Sequence, residues 1–158
     1  MQVDVPVLTG EQRSRGLELG LERSISDRWQ ISAGYALQEA EVRERTSSCN
    51  PEAARCDVPL VPRHQFSLWN RYDVSSAFGL GLGIVARSKA YASISNNVTL
   101  PGYTRVDGAL YYQLARGIEA QLNVENLLDE DYFSTAHNDN TIAPGAPRTA
   151  RATVRFGF

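Results

Sequence analysis

The sequence predicts an all-β fold of the antiparallel, up-and-down transmembrane β-barrel type, with about eight strands. Three observations point there. Apolar and polar residues alternate with period two in segment after segment, the spacing of a strand with one greasy and one polar side rather than of a helix. Tight turns and long links alternate along the chain, as in spanning barrels that carry short turns at one end and long loops at the other. Large aromatics on the apolar side, Trp29, Tyr72, Phe78, Tyr112, Phe156 and Phe158, all fall near short turns or the C-terminus, which places them at one height, as in an interfacial girdle.

In chain order, Val3, Val5 and Val7 make a short first strand. Leu17, Leu19, Leu21 and Ile25 make the next, with Arg23 as an exception. Trp29, Ile31, Ala33, Tyr35 and Leu37 follow after the turn Ser26-Asp27. Phe66, Leu68, Tyr72 and Val74 share a face interrupted by Asn70, and the turn Ser75-Ser76-Ala77 leads to Phe78, Leu80, Leu82, Ile84 and Ala86, opposed by Gly79, Gly81 and Gly83. Val106, Gly108, Leu110, Tyr112 and Leu114 precede the turn Ala115-Arg116-Gly117, after which Ile118, Ala120, Leu122 and Val124 alternate without a break. Ala150, Ala152, Val154, Phe156 and Phe158 end the chain. Long loops link Val42 to Arg63, Lys89 to Gly102 and Leu127 to Arg148.

The chain of 158 residues, 42% hydrophobic and 22% charged, is enough for one domain, taken as residues 1–158. Its apolar runs fall short of the roughly 20 residues that a spanning helix needs. Net charge is −2, and the sixteen basic residues, fifteen of them arginine, are spread along the chain. That distribution argues against nucleic acid as a partner. Met1–Asp4 has neither the basic nor the apolar region of an export signal, so the chain is expected to be part of a longer gene product.

The polar face holds Glu18, Glu22, Asp73, Asp107, Glu119 and Glu125 against Arg28, Arg71, Arg87, Lys89, Arg105, Arg151 and Arg155. These charges either pair with one another inside a narrow barrel or meet water or a plug in a wider one. Cys49 and Cys56 bracket a short stretch of the longest loop, most simply as a disulfide of an oxidising compartment; a metal pair completed by His64 or His137 is the rival. Asp129-Glu130-Asp131 and Asn138-Asp139-Asn140 read as turn residues, lacking the glycine and terminal glutamate of a calcium loop. Ser134, His137 and Asp139 share a loop without a nucleophile elbow, so no catalytic set, resident metal or cofactor is expected.

Several linked motifs carry a family resemblance. The runs LPGYTRVDGALYY from Leu100, LNVENLLDEDYF from Leu122 and APGAPRTARATVRFGF from Ala143, with VPRH at Val61 and RSRGLELG at Arg13, together resemble the C-terminal strands of TonB-dependent ferric-siderophore receptors. The resemblance implies an outer-membrane barrel of about 22 strands around a plug, of which this chain supplies the last strands without the plug. The implied partners are outer-membrane lipid, the plug domain, the TonB system and a ferric siderophore as transported ligand. The tract STAHNDNTIAPGAPR from Ser134 is most similar to those of receptors for catecholate-type siderophores. Glu18 falls where the family places a plug-facing carboxylate, although the position of a second acid is Gly20 here. Tyr91, Tyr103, Tyr132, Phe133 and His137 are the counterparts of the family's ligand-contacting loop residues.

The alternative is an autonomous eight-stranded outer-membrane barrel with a structural or binding role and no catalysis. A soluble carrier of lipophiles would need an apolar lumen, against which the glycines at 79, 81 and 83 and the charged face argue. Open first and last strands are expected to invite self-association unless the barrel closes. The loops at 93–102 and 129–147 are expected to be free, supplying part of a ligand wall.

Overall fold

The computed structural model describes residues 11–43, 49 and 55–157. Its strands are β1 (Gln12–Ser26), β2 (Trp29–Val42), β3 (His64–Asp73), β4 (Phe78–Arg87), β5 (Ala90–Tyr91), β6 (Thr99–Leu100), β7 (Tyr103–Ala115), β8 (Ile118–Glu125), β9 (Phe133–Asn138), β10 (Thr141–Pro144) and β11 (Thr149–Phe156). A seven-stranded antiparallel sheet runs in the order β1-β2-β3-β4-β7-β8-β11, so each long strand pairs with its neighbours in sequence. The expected strand at Val3, Val5 and Val7 lies outside the described residues. Within those residues β1 and β11 form opposite edges and do not pair with each other, so the described seven-stranded sheet is open.

The register puts the alternating apolar residues on one side of the sheet. Leu19 faces Tyr35, Tyr35 faces Phe66, and Phe66 faces Ala86. Further along, Leu80 faces Leu110, and Leu110 faces Leu122. This side is bare: Leu19 is 58% exposed, Leu82 48%, Leu110 42% and Val154 49%. Such a surface is far too apolar to meet water, and it fits the lipid-facing side of a barrel wall. At the short-turn end Trp29 is paired with Tyr72 and Phe78 with Tyr112. A second aromatic row lies about 20 Å of strand further on, where Tyr35 is paired with Phe66 and its hydroxyl meets Nδ1 of His64 at 2.8 Å. Aromatic rows at both edges of an apolar band are the girdles of a membrane barrel.

The opposite side, which would line the lumen, is the better packed. Trp69 lies flat across β4: a Cβ at Gly81 or Gly83 would come within 2.7 and 2.6 Å of its ring. The glycine run on the polar face is therefore a seat for one indole. Beside it the guanidinium of Arg71 stands 4.2 Å from the centre of the Tyr111 ring and its Nε is 3.1 Å from the Asp73 carboxylate. Arg155 meets Glu119 at 3.6 Å. Ion pairing accounts for part of this face only, since Glu18, Glu22, Arg87 and Arg151 lie outside the ion pairs found among the described residues.

The β7–β8 turn is closed by Gly117 at a φ of 78°. A side chain there would also meet the carbonyl oxygen of Gly157 at 2.6 Å, and the Gly157 N–H donates to the Gly117 carbonyl at 2.7 Å. Both the left-handed backbone and the close approach require glycine.

Candidate ligand-binding site

The three long connections lie at one end of the sheet, and the second and third, expected to be free, are tied by hydrogen bonds. The third, from Asn126 to Arg148, is fixed at its base. Asn126 is 1% exposed; its Nδ2 donates to the carbonyls of Glu130 at 2.9 Å and Ala146 at 3.1 Å, and its Oδ1 accepts from the Glu130 N–H at 2.9 Å. Its own N–H donates to Asp107 on β7. The φ values of Asn126 and Asp129, 55° and 57°, set a turn that asparagine and aspartate tolerate better than most residues. The Arg148 N–H closes the base onto Asp129 at 2.8 Å.

This base delivers Tyr132 to the lumenal side of β7. Its ring stacks on that of Tyr103 with centroids 4.3 Å apart and planes tilted by 33°. Arg105, two residues along the same face, donates to the Tyr132 hydroxyl at 3.2 Å and to the Asp107 carboxylate at 2.9 Å. The Arg105 Nε is buried and without a partner among the described residues. Gly145 is required where the returning chain crosses: its N–H donates to the Tyr132 carbonyl at 2.6 Å, and a side chain would collide with the tyrosine ring. The arrangement offers two stacked phenol rings and a held guanidinium, which suits an aromatic or anionic ligand.

The tip of this connection is the β9–β10 hairpin, whose two-residue turn Asp139-Asn140 is among the residues that read from the sequence as turn residues. Asp139 accepts from the hydroxyls of Ser93 at 2.7 Å and Ser95 at 2.5 Å in the second connection. Those bonds, Ser95 first, hold its carboxyl below the usual carboxylate range against a smaller opposing effect of desolvation. Beneath them Ala92, Leu100 and Ala136 form a small apolar cluster with Val98 and Ile142. The second connection is tied in turn to the first. Asn96, 6% exposed, donates from Nδ2 to the Asp57 carbonyl at 2.9 Å and accepts the Asp57 N–H on Oδ1 at 2.7 Å. The structure joins Cys49 to Cys56 with Cα atoms 6.1 Å apart, and both pack against Val42.

The residues singled out in the sequence are thus divided. Tyr103 and Tyr132 are brought together. Phe133 and His137 sit on β9, exposed, while Tyr91 borders a separate recess of about 470 Å³ with Glu39, Arg55, Arg63 and Lys89. Glu18 is exposed on the lumenal face of β1, opposite Ala36. Ser134, His137 and Asp139 do not converge: the Ser134 hydroxyl is engaged with the carbonyls of Ala143 and Pro144, and Asp139 with the two serines. Arg105, Asn126, Asn96 and Asp139 organise the loop end. The sequence places Arg105 on the polar face and offers Asp139 as a turn residue and as a member of a Ser-His-Asp set, and it singles out neither asparagine.

The family model "TonB dependent receptor-like, beta-barrel" matches residues 2–127. The chain belongs to this family. Its members are outer-membrane transport receptors of Gram-negative bacteria. A probable TonB-dependent siderophore receptor, PiuA of Acinetobacter baumannii, is 32% identical over 158 residues, and its crystal structure superimposes with a TM-score of 0.82, covering 93% of this chain and 22% of PiuA. The catecholate siderophore receptor Fiu of Escherichia coli K12 is 28% identical over 154 residues, and its closed form also gives a TM-score of 0.82 over 94% of this chain and 21% of Fiu. The ferrioxamine B receptor of Salmonella typhimurium is 33% identical over 157 residues, which cover 94% of this chain and 22% of the receptor. The chain thus spans about a fifth of the length of the curated relatives it matches, 21% in the case of PiuA. Homologues that import siderophores support reading the open sheet as one sector of a larger barrel wall.

Proposed function

We propose that this chain forms the C-terminal sector of an outer-membrane TonB-dependent receptor that imports ferric siderophores. The observation that carries the reading is the similarity to siderophore receptors over 94% of the chain, joined to an apolar outer face and a tied loop end. In this reading the outer face of β1 to β11 meets outer-membrane lipid, the lumenal face meets a plug with Glu18 toward it, and the plug couples to the TonB system. The Tyr103–Tyr132 stack and Arg105 border the ligand, with Phe133 and His137 further out on the same connection and Tyr91 in the neighbouring recess. Stacked phenol rings and a guanidinium favour a catecholate-type ligand, whose iron complex is aromatic and anionic. The Cys49–Cys56 disulfide orders the first connection. No step in this function requires bond-making by the protein, so the chain has no enzymatic role.

The test is a chimaera in which this chain replaces the matching part of PiuA. In iron-limited cells lacking other receptors, the chimaera should restore growth on ferric catecholates, and Tyr132→Ala or Arg105→Ala should reduce uptake while surface assembly is unchanged. A chimaera that assembles in the outer membrane yet takes up no ferric siderophore would contradict the proposal.

A further inference from the structure

The third connection is anchored differently at its two ends. Its base is locked by Asn126, buried among backbone groups and uncharged. Its tip is held by one half-buried carboxylate, Asp139, on two hydroxyls of the second connection. Those hydroxyls are themselves fixed, since each also accepts a backbone N–H, Ser93 Oγ from Ser95 and Ser95 Oγ from Asn97, both at 3.2 Å. The second connection is in turn clamped to the first through Asn96 and Asp57. The β9–β10 hairpin is thus a strap with a permanent hinge and a releasable clasp, and the residues from Tyr132 to His137 lie between the two.

We propose that Asp139 is a positioning residue of the ligand site: by clasping Ser93 and Ser95 it holds the strap, and so Phe133 and His137, in the ligand-facing arrangement. The ligand part of this statement rests on the siderophore reading above, whereas the clasp stands independently of it. Asp139 acts through the hairpin, whose Ala136 and Ile142 also pack with Ala92, Leu100 and Val98 of the second connection.

The clasp is tested by hydrogen exchange on the chain in detergent, with no ligand present. Asp139→Ala should speed exchange severalfold both in the hairpin (residues 134–143) and in the facing turn (residues 93–97), leaving the base at Asn126 and Glu130 unchanged. The Ser93→Ala/Ser95→Ala double variant, which also loses the turn's own N–H bonds to the two hydroxyls, should loosen the hairpin as much as Asp139→Ala does and residues 93–97 more, and adding Asp139→Ala to it should change nothing further in the hairpin. Loosening confined to the hairpin would overturn the clasp, because a turn residue acting only on its own hairpin gives that result. Asp139→Ala in the PiuA chimaera then tests positioning: the apparent KM for ferric catecholate uptake should rise severalfold with the maximal rate retained. An altered exchange profile with unaltered KM would overturn the positioning role. Failure of the unsubstituted chimaera to transport would instead overturn the siderophore reading and leave the clasp standing.

Discussion

At Asn126 a left-handed backbone and a fully hydrogen-bonded buried amide coincide, with φ at 55° and the side chain joining Glu130 to Ala146. Alanine there removes three hydrogen bonds, strands backbone groups away from water and disfavours the backbone conformation. The expected loss is about 2–4 kcal/mol, read from urea unfolding in detergent. Asn126→Gly should lose less, because only the bonds are missing; an alanine variant as stable as the parent would contradict the account. Asp139 makes a prediction of opposite character, half-buried and charged. Its folded carboxyl titrates below the usual range because Ser95 and Ser93 donate to it. The clasp's contribution is therefore fully present above the ordinary carboxylate pKa of about 4 and is lost only as pH falls through the lowered value. Exchange at residues 93–97, taken as the ratio of Asp139→Ala to parent, should stay constant from neutral pH to about 4 and approach unity below it.

The strands owe their sides to alternation, and that predicts which substitutions they tolerate. Arginine at Leu19, Leu82, Leu110, Leu122 or Val154 enters the apolar face and should cost roughly 2–4 kcal/mol at mid-membrane, whereas Thr153→Arg on the lumenal face should cost little; folding yield into lipid vesicles measures both, and equal effects would refute the orientation. Alternation made the seven long strands legible, but it under-reads β1 and β2, which run on to Gln12 and Val42. Past the apolar band their pairing is carried by charge, Arg15 facing Glu39 and Arg13 facing Glu41, with Arg63 sharing the Glu39 carboxylate at 2.5 Å. A hydrophobic pattern is silent there. Strands β5, β6, β9 and β10 were missed for a related reason: they are two to six residues long, exposed or packed on a few small side chains, and depend on contacts between loops distant in sequence. The same holds for the site. Tyr103 and Tyr132 could be singled out as aromatics in matching motifs, but Arg105 between them and the clasp at Asp139 are products of the fold.

At the scale of the whole chain, the edges that β1 and β11 form among the described residues and the coverage of a fifth of the relatives' length have one consequence for binding. The loops do not have to be ordered at the ligand's expense, since Asn96, Asn126 and Asp139 already tie them. What the sector lacks is the remainder of the wall, and affinity requires a ligand surrounded on most sides. Titrating the chain in detergent with ferric catecholate, followed by tryptophan fluorescence, should therefore show no saturable submicromolar binding; such binding would place the whole site in these strands. In the proposed receptor this sheet is a membrane wall with one side to lipid and the other to an aqueous lumen. Spin labels placed singly along β4 and β7 in lipid bilayers decide that orientation, with accessibility to oxygen and to a water-soluble relaxant measured at each. Labels at Leu80, Leu82, Ile84, Gly108, Leu110 and Tyr112 should favour oxygen, and labels at Val85, Asp107 and Gln113 on the other face should favour the water-soluble relaxant. Equal accessibility on the two sets, or a period other than two, would contradict it.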